Sequence, residues 1–171
     1  NPCDYNQTKA ATIAIAKYHG PVYLRFGRPV VPVFTPADQI FEIGKAVLLN
    51  EGSDVSIFVI VHLVWKALEA CEILESKGIH AEIINIHTIK PLDQDAVLRS
   101  VRKTGCAVSA EEHQINGGLG DAIANVLTRN FPAPLEYVAV NDSFGESGTP
   151  EQLMKKYGLE AENIVLAAEK A

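Results

Sequence analysis

From residue 41 onward the apolar positions fall into two alternating rhythms, short continuous runs and helical stripes. Residues 55–61 (Val-Ser-Ile-Phe-Val-Ile-Val) form a nearly all-apolar run, the signature of a strand covered on both faces, and predict a central strand. Val64, Ala67, Leu68, Cys71 and Leu74 then recur at three- and four-residue steps, which predicts a crossover helix stopped at Gly78. The same reading gives a possible first strand over 43–49, strands over 81–87, 106–110 and 135–140, and helices over 93–102 and 118–130. Pro150 opens a helix through Lys156 that Gly158 closes, and a last helix starts at Ala161. Strand and helix alternating at this spacing imply a mostly parallel sheet with helices on both faces.

The first forty residues read differently. Asp4 suits an N-cap, with Gln7 three positions on to complete a capping box, and residues 8–18 carry Ala and Ile at helical spacing up to a stop at Gly20. Residues 21–26 alternate in a way that predicts a strand. Pro29, Pro32 and Pro36 exclude a central strand or a helix, so this stretch reads as an interdomain linker.

Composition narrows the class of function. The 171 residues are 47% hydrophobic and 21% charged, enough for one full core and an appendage. The formal charge is -6, and the fifteen Lys and Arg are scattered, which argues against nucleic-acid or anionic-membrane partners. Cys3, Cys71 and Cys106 are odd in number, distant from one another and each beside an apolar residue, so they suggest a reducing, cytoplasmic setting rather than a disulfide framework or metal knuckle. No apolar run is long enough to span a bilayer, and no signal-peptide pattern is visible. The only methionine is Met154, and the chain opens directly onto a helix signal, so it is expected to begin inside a longer polypeptide.

In open parallel sheets, ligands sit beyond the carboxyl ends of the strands, which directs attention to the loops after His87, Ala110 and Asn141. Glu111-Glu112-His113 could pair a base with an orienting carboxylate, but consecutive residues rarely converge on one atom, and a solvated loop with a structurally bonded histidine is the favoured reading. The Gly117–Gly120 loop precedes a helix whose free N–H groups could hold an anion. It lacks the dinucleotide spacing and any Walker lysine, so tight helix-sheet packing is preferred. His62 and His87 stand at strand ends without a ligand-spaced partner, which makes them core or boundary histidines and gives no metal site. Trp65 reads as core, and Glu160, Glu162 and Glu169 as a solvated face. Arg25 and Arg28 flank Gly27 at the end of the candidate strand over 21–26, where a guanidinium either grips a phosphate bidentately or forms a surface salt bridge.

Several segments, in order, resemble the C-terminal third of transketolases: Pro2-Cys3-Asp4 with its helix, Gly20-Pro21-Val22-Tyr23-Leu24-Arg25-Phe26-Gly27-Arg28-Pro29, Thr88-Ile89-Lys90-Pro91-Leu92-Asp93, Glu111-Glu112-His113 with Gly117-Gly118-Leu119-Gly120, and Phe144-Gly145-Glu146-Ser147-Gly148-Thr149-Pro150 with Tyr157-Gly158-Leu159. The resemblance implies that residues 1–36 finish the family's pyrimidine-binding domain and lead through a linker into residues 37–171, its C-terminal domain. That domain is expected to be a three-layer α/β/α fold around a five-stranded, mostly parallel mixed sheet whose first strand runs antiparallel. The implied activity is transfer of a two-carbon ketol unit from a ketose phosphate to an aldose phosphate, using thiamine diphosphate and a divalent metal such as magnesium. Arg28 matches the family arginine that binds the sugar-phosphate terminus, with Arg25 as its neighbour and assistant. The family's catalytic, cofactor-binding and metal-binding residues match nothing in this chain, so none is assigned here and the chain alone is expected to be inactive and to hold no cofactor. The implied partners are sugar phosphates, the N-terminal part or subunit of the same enzyme, and a second copy in a homodimer. Deoxyxylulose-phosphate synthase and the β chain of the 2-oxo-acid dehydrogenase first component share the terminal domain but resemble residues 144–150 less well. A non-catalytic assembly or regulatory module is the reading from a different class, and a stand-alone nucleotide-binding protein is disfavoured by the missing phosphate loop.

Overall fold

The computed structural model describes residues 1–171. Helix α1 (Tyr5–Ala16) comes first, and after a long non-repetitive segment five strands alternate with helices: β1 (Val47–Asn50), β2 (Val55–Val59), α2 (Leu63–Ser76), β3 (Ala81–Asn85), α3 (Gln94–Thr104), β4 (Ala107–Gln114), α4 (Leu119–Asn130), β5 (Leu135–Val140), α5 (Pro150–Lys156) and α6 (Ala161–Lys170). The strands form one sheet in the order β1-β3-β2-β4-β5. β1 runs antiparallel to β3, while β2 pairs in parallel with both β3 and β4, and β4 with β5. The three-layer mixed sheet expected from the sequence is the fold observed.

The all-apolar run becomes the centre of this sheet because both of its faces are covered. Ile57 and Val59 point into a core built with Leu63, Ala67 and Leu74 of α2 and Ile164 and Val165 of α6. Phe58 and Ile60 point the opposite way, onto Val97 and Val101 of α3 and Ile123 and Leu127 of α4. Ser56, fully buried within the run, is satisfied by the hydroxyls of Ser100 and Thr104.

Several sequence expectations need correction. Residues 21–26 form no strand, because no sheet edge lies alongside them and residues 19–33 make no backbone–backbone hydrogen bond. The first strand starts at Val47 rather than residue 43, since Gly44 (φ 84°) turns the chain just before it. Trp65 is half-buried rather than core, with the Lys66 ammonium 3.9 Å from its ring centroid. Glu160 is not part of a solvated face, since it caps α6 and pairs with Lys66 at 2.6 Å.

Within residues 1–36 one acid holds the segment after Arg28 against α1. Asp4 caps α1 through the Gln7 N–H at 2.8 Å and also accepts from the backbone N–H groups of Phe34 and Thr35 and from the Thr35 hydroxyl. The reciprocal half of the capping box is displaced by one residue, because the Gln7 side chain accepts from the Cys3 N–H, and also from Asn85 at the end of β3. Burial alone would raise the Asp4 pKa, but these hydrogen bonds together hold it below the usual carboxylate value.

Candidate functional site

The carboxyl ends of β2, β3 and β4 open on the same side of the sheet, and the polar residues singled out from the sequence gather there. β2 ends at Val59, and Val61 then takes a left-handed backbone (φ 51°) while fully buried. A β-branched residue avoids this region unless its surroundings impose it. The turn delivers His62 to the N-terminus of α2, where its Nδ1 lies 2.7 Å from Oε2 of Glu112. The other oxygen of Glu112 faces the Arg25 guanidinium at 3.5 Å. Gly27 lies flat against the imidazole: a Cβ there would fall 1.9 Å from its Cε1 and Nε2, so this approach requires glycine.

The solvated loop expected at residues 111–113 is instead the end of β4, which continues past a pairing irregularity between Ala110 and Gln114. Strand alternation sends Glu111 and Glu112 to opposite faces. Glu111 is 1% exposed and accepts the N–H groups of Leu119 (2.8 Å) and Gly120 (3.0 Å) at the start of α4. The anion position at that helix N-terminus is therefore filled by the protein's own carboxylate. The glycines there serve close packing, as a Cβ on Gly118 would meet the Glu111 carboxylate at 2.2 Å and one on Gly120 the Tyr137 ring at 2.2 Å.

A cleft of about 640 Å³ runs between this strand edge and the first forty residues, lined among others by Tyr18, Arg25, His87, Lys90, Glu111 and His113. His87 is a boundary histidine as expected: it is 2% exposed, its ring lies 4.0 Å from that of Phe41, and its Nδ1 is 2.9 Å from the Thr88 hydroxyl. Burial lowers its pKa to about 4. His113 is also held below the ordinary imidazole value, first by burial and then by Arg25, against the opposing pull of Glu111 and Glu112. Of the two arginines, the structure brings Arg25 into the cleft, whereas Arg28 is exposed and lies outside its lining. The surface-pair alternative is thus realised by Arg25 with Glu112, and Arg28 makes no ion pair or hydrogen bond within the chain. Sequence reasoning missed the pairing of Glu112 with His62, which links residues fifty positions apart and leaves no periodic trace.

These features define a three-layer α/β domain carrying a cationic and carboxylate-lined cleft at the carboxyl end of its parallel strands. The family model described as "Transketolase, C-terminal domain" matches residues 44–164, and the chain belongs to the transketolase family. Over 168 residues it is 48% identical to a 6-deoxy-6-sulfo-D-fructose transketolase subunit of Clostridium sp. (strain MSTE9), covering 98% of this chain and 52% of that protein. It is 40% identical over 166 residues to a putative transketolase C-terminal section of Methanocaldococcus jannaschii, covering 95% of this chain and 52% of the relative. A solved split gene transketolase, described as an inactive beta4 tetramer, superposes with a TM-score of 0.96 at 45% identity and covers 99% of this chain and 56% of its own. The chain thus spans about half the length of the relatives it matches.

The residues present form no divalent-metal site of their own. No three His, Cys, Asp or Glu side chains converge as a metal-ligand group, and Glu111 and Glu112 are committed to the α4 N–H groups and to the His62–Arg25 pair. No helix is long and apolar enough to cross a membrane.

Proposed function

We propose that this chain is the C-terminal section of a transketolase that transfers a two-carbon ketol unit between sugars bearing a terminal oxyanion, with Arg28, assisted by Arg25, holding that oxyanion. The transfer chemistry belongs to thiamine diphosphate with a divalent metal such as magnesium, held by parts of the complete protein outside this chain. The observation that carries the reading is the Arg25–Gly27–Arg28 segment, packed through Gly27 and Arg25 against the carboxyl end of the sheet with one guanidinium left unpaired. Residues 1–36 complete a preceding domain in this reading. Its support is that nine of the twelve exposed large apolar side chains, among them Tyr5, Tyr23, Phe26 and Val30, lie within residues 5–40, an uncovered surface suited to the rest of that domain or a partner subunit of the same cytoplasmic, dimeric enzyme.

Arg28→Ala in the complete protein is expected to raise KM for a phosphorylated ketose roughly tenfold with a smaller change in kcat, because a charge-assisted contact made equally in ground and transition states is lost. Steady-state kinetics check this, and an unchanged KM removes Arg28 from the binding site. A second substrate reading follows from the relative named for 6-deoxy-6-sulfo-D-fructose. A sulfonate presents the same three-oxygen face as a phosphate with a smaller charge, so a guanidinium accepts either. The ratio of kcat/KM for the two donors, measured side by side, decides between them.

A further inference from the structure

We propose that Glu112 is a positioning residue for the oxyanion-binding arginines: it fastens the segment that carries Arg25 and Arg28 to the sheet, directly through Arg25 and indirectly through His62. This rests on the reading of that segment given under Proposed function.

Residues 19–33 are otherwise poorly anchored. They belong to no helix or strand and make no backbone–backbone hydrogen bond. Before them the chain is held by the end of α1, and after them by the bonds from Phe34 and Thr35 to Asp4. Between those two points the Arg25–Glu112 ion pair is the single polar tether to the rest of the protein. An extended segment with so few bonds opens at little free-energy cost, so one partly buried ion pair weighs heavily in its order.

Glu112 is suited to this task. Its side chain is 14% exposed, and both oxygens are engaged, Oε2 with His62 at 2.7 Å and Oε1 with Arg25 at 3.5 Å. The His62 bond fixes the carboxylate plane, and the imidazole in turn forms the surface on which Gly27 rests. His62 is itself held by the constrained turn at Val61. Glu112 therefore contacts the segment at two places, once by charge at Arg25 and once through a ring under Gly27, the residue immediately before Arg28. Loss of the carboxylate frees the guanidinium of Arg25 and the ring beneath Gly27 together, and Arg28 loses the fixed backbone from which it projects.

The test is Glu112→Gln in the complete protein, read in two ways. Limited chymotryptic cleavage after Tyr23 and Phe26 is expected to quicken by about threefold or more while cleavage elsewhere in the chain stays unchanged. KM for the phosphorylated ketose is expected to rise by about threefold or more, with kcat altered by less than about twofold. Arg28→Ala is measured alongside. If Glu112→Gln leaves cleavage at Tyr23 and Phe26 unaltered, the tether is wrong whatever the kinetics. If cleavage quickens and Arg28→Ala raises KM but Glu112→Gln does not, the positioning role fails and the oxyanion reading stands. If neither variant moves KM, the oxyanion reading fails and takes this inference with it. Should Glu112→Gln not fold, Arg25→Gln breaks the same tether from its more exposed side, and the cleavage measurement decides in the same way.

Discussion

Replacing Glu111 with alanine is expected to destabilise the protein by about 2–6 kcal/mol, since two buried backbone donors each lose a charge-assisted acceptor at a cost of about 1–3 kcal/mol. The carboxylate caps α4 from outside the helix, taking the Leu119 and Gly120 N–H groups that would otherwise have no partner within the first turn. Water does not easily replace it, because Glu111, Leu119 and Gly120 are all buried. The neighbouring Asp121 is already engaged with the Gly117 N–H. Glu111→Gln is expected to cost about half as much, as its single carbonyl oxygen can keep one of the two bonds while its amide faces the other donor. The midpoint of urea denaturation measures both variants. A loss below about 0.5 kcal/mol for the alanine would mean that the helix start rearranges to satisfy itself, and Glu111 would lose its structural role.

The same residue illustrates what the sequence discloses and what it hides. The alternation of apolar runs with helical stripes was enough to place β2 at the centre of the sheet and to mark every later strand and helix, because burial on two faces or on one stripe is a local property of composition and spacing. The stops at Gly78 and Gly158 were legible for a related reason, since both adopt the left-handed backbone that glycine tolerates. Residues 21–26 defeat the approach: their alternation satisfies the strand pattern, but a strand exists only where a neighbouring edge is within bonding distance. Glu111-Glu112-His113 defeat it differently. Three consecutive polar residues read as loop, and their place at the end of β4 depends on partners at positions 25, 62, 119 and 120 that no local window contains. Of the candidate site, the residue types and their place at the strand ends were visible, while the pairing that separates Arg25 from Arg28 came only with the fold.

Acidification is expected to destabilise the protein well before its carboxylates titrate, and His87 is the main cause. An ordinary imidazole titrates near 6.5, whereas burial lowers the His87 pKa to about 4. Between those values the unfolded chain binds a proton that the folded chain refuses, so stability rises with pH across the window. The contribution is fully present above pH 6.5 and is lost as the pH falls toward 4, amounting to as much as about 3 kcal/mol. His113 acts with the same sign, because burial and Arg25 lower its pKa as well. Asp4 belongs to a separate window, as its depressed pKa places its loss below the ordinary carboxylate range. Urea denaturation at a series of pH values from about 7 down to about 4.5 is expected to show a steady decline, and His87→Gln to remove the larger part of that slope. The glutamine keeps a polar atom within reach of the Thr88 hydroxyl but carries no titrating ring, so any stability it loses at neutral pH is a constant offset. A slope unchanged by His87→Gln would mean that the buried ring is protonated at little cost, in which case the tilted contact with Phe41 and the near-complete burial just past β3 would not exclude water as the geometry requires.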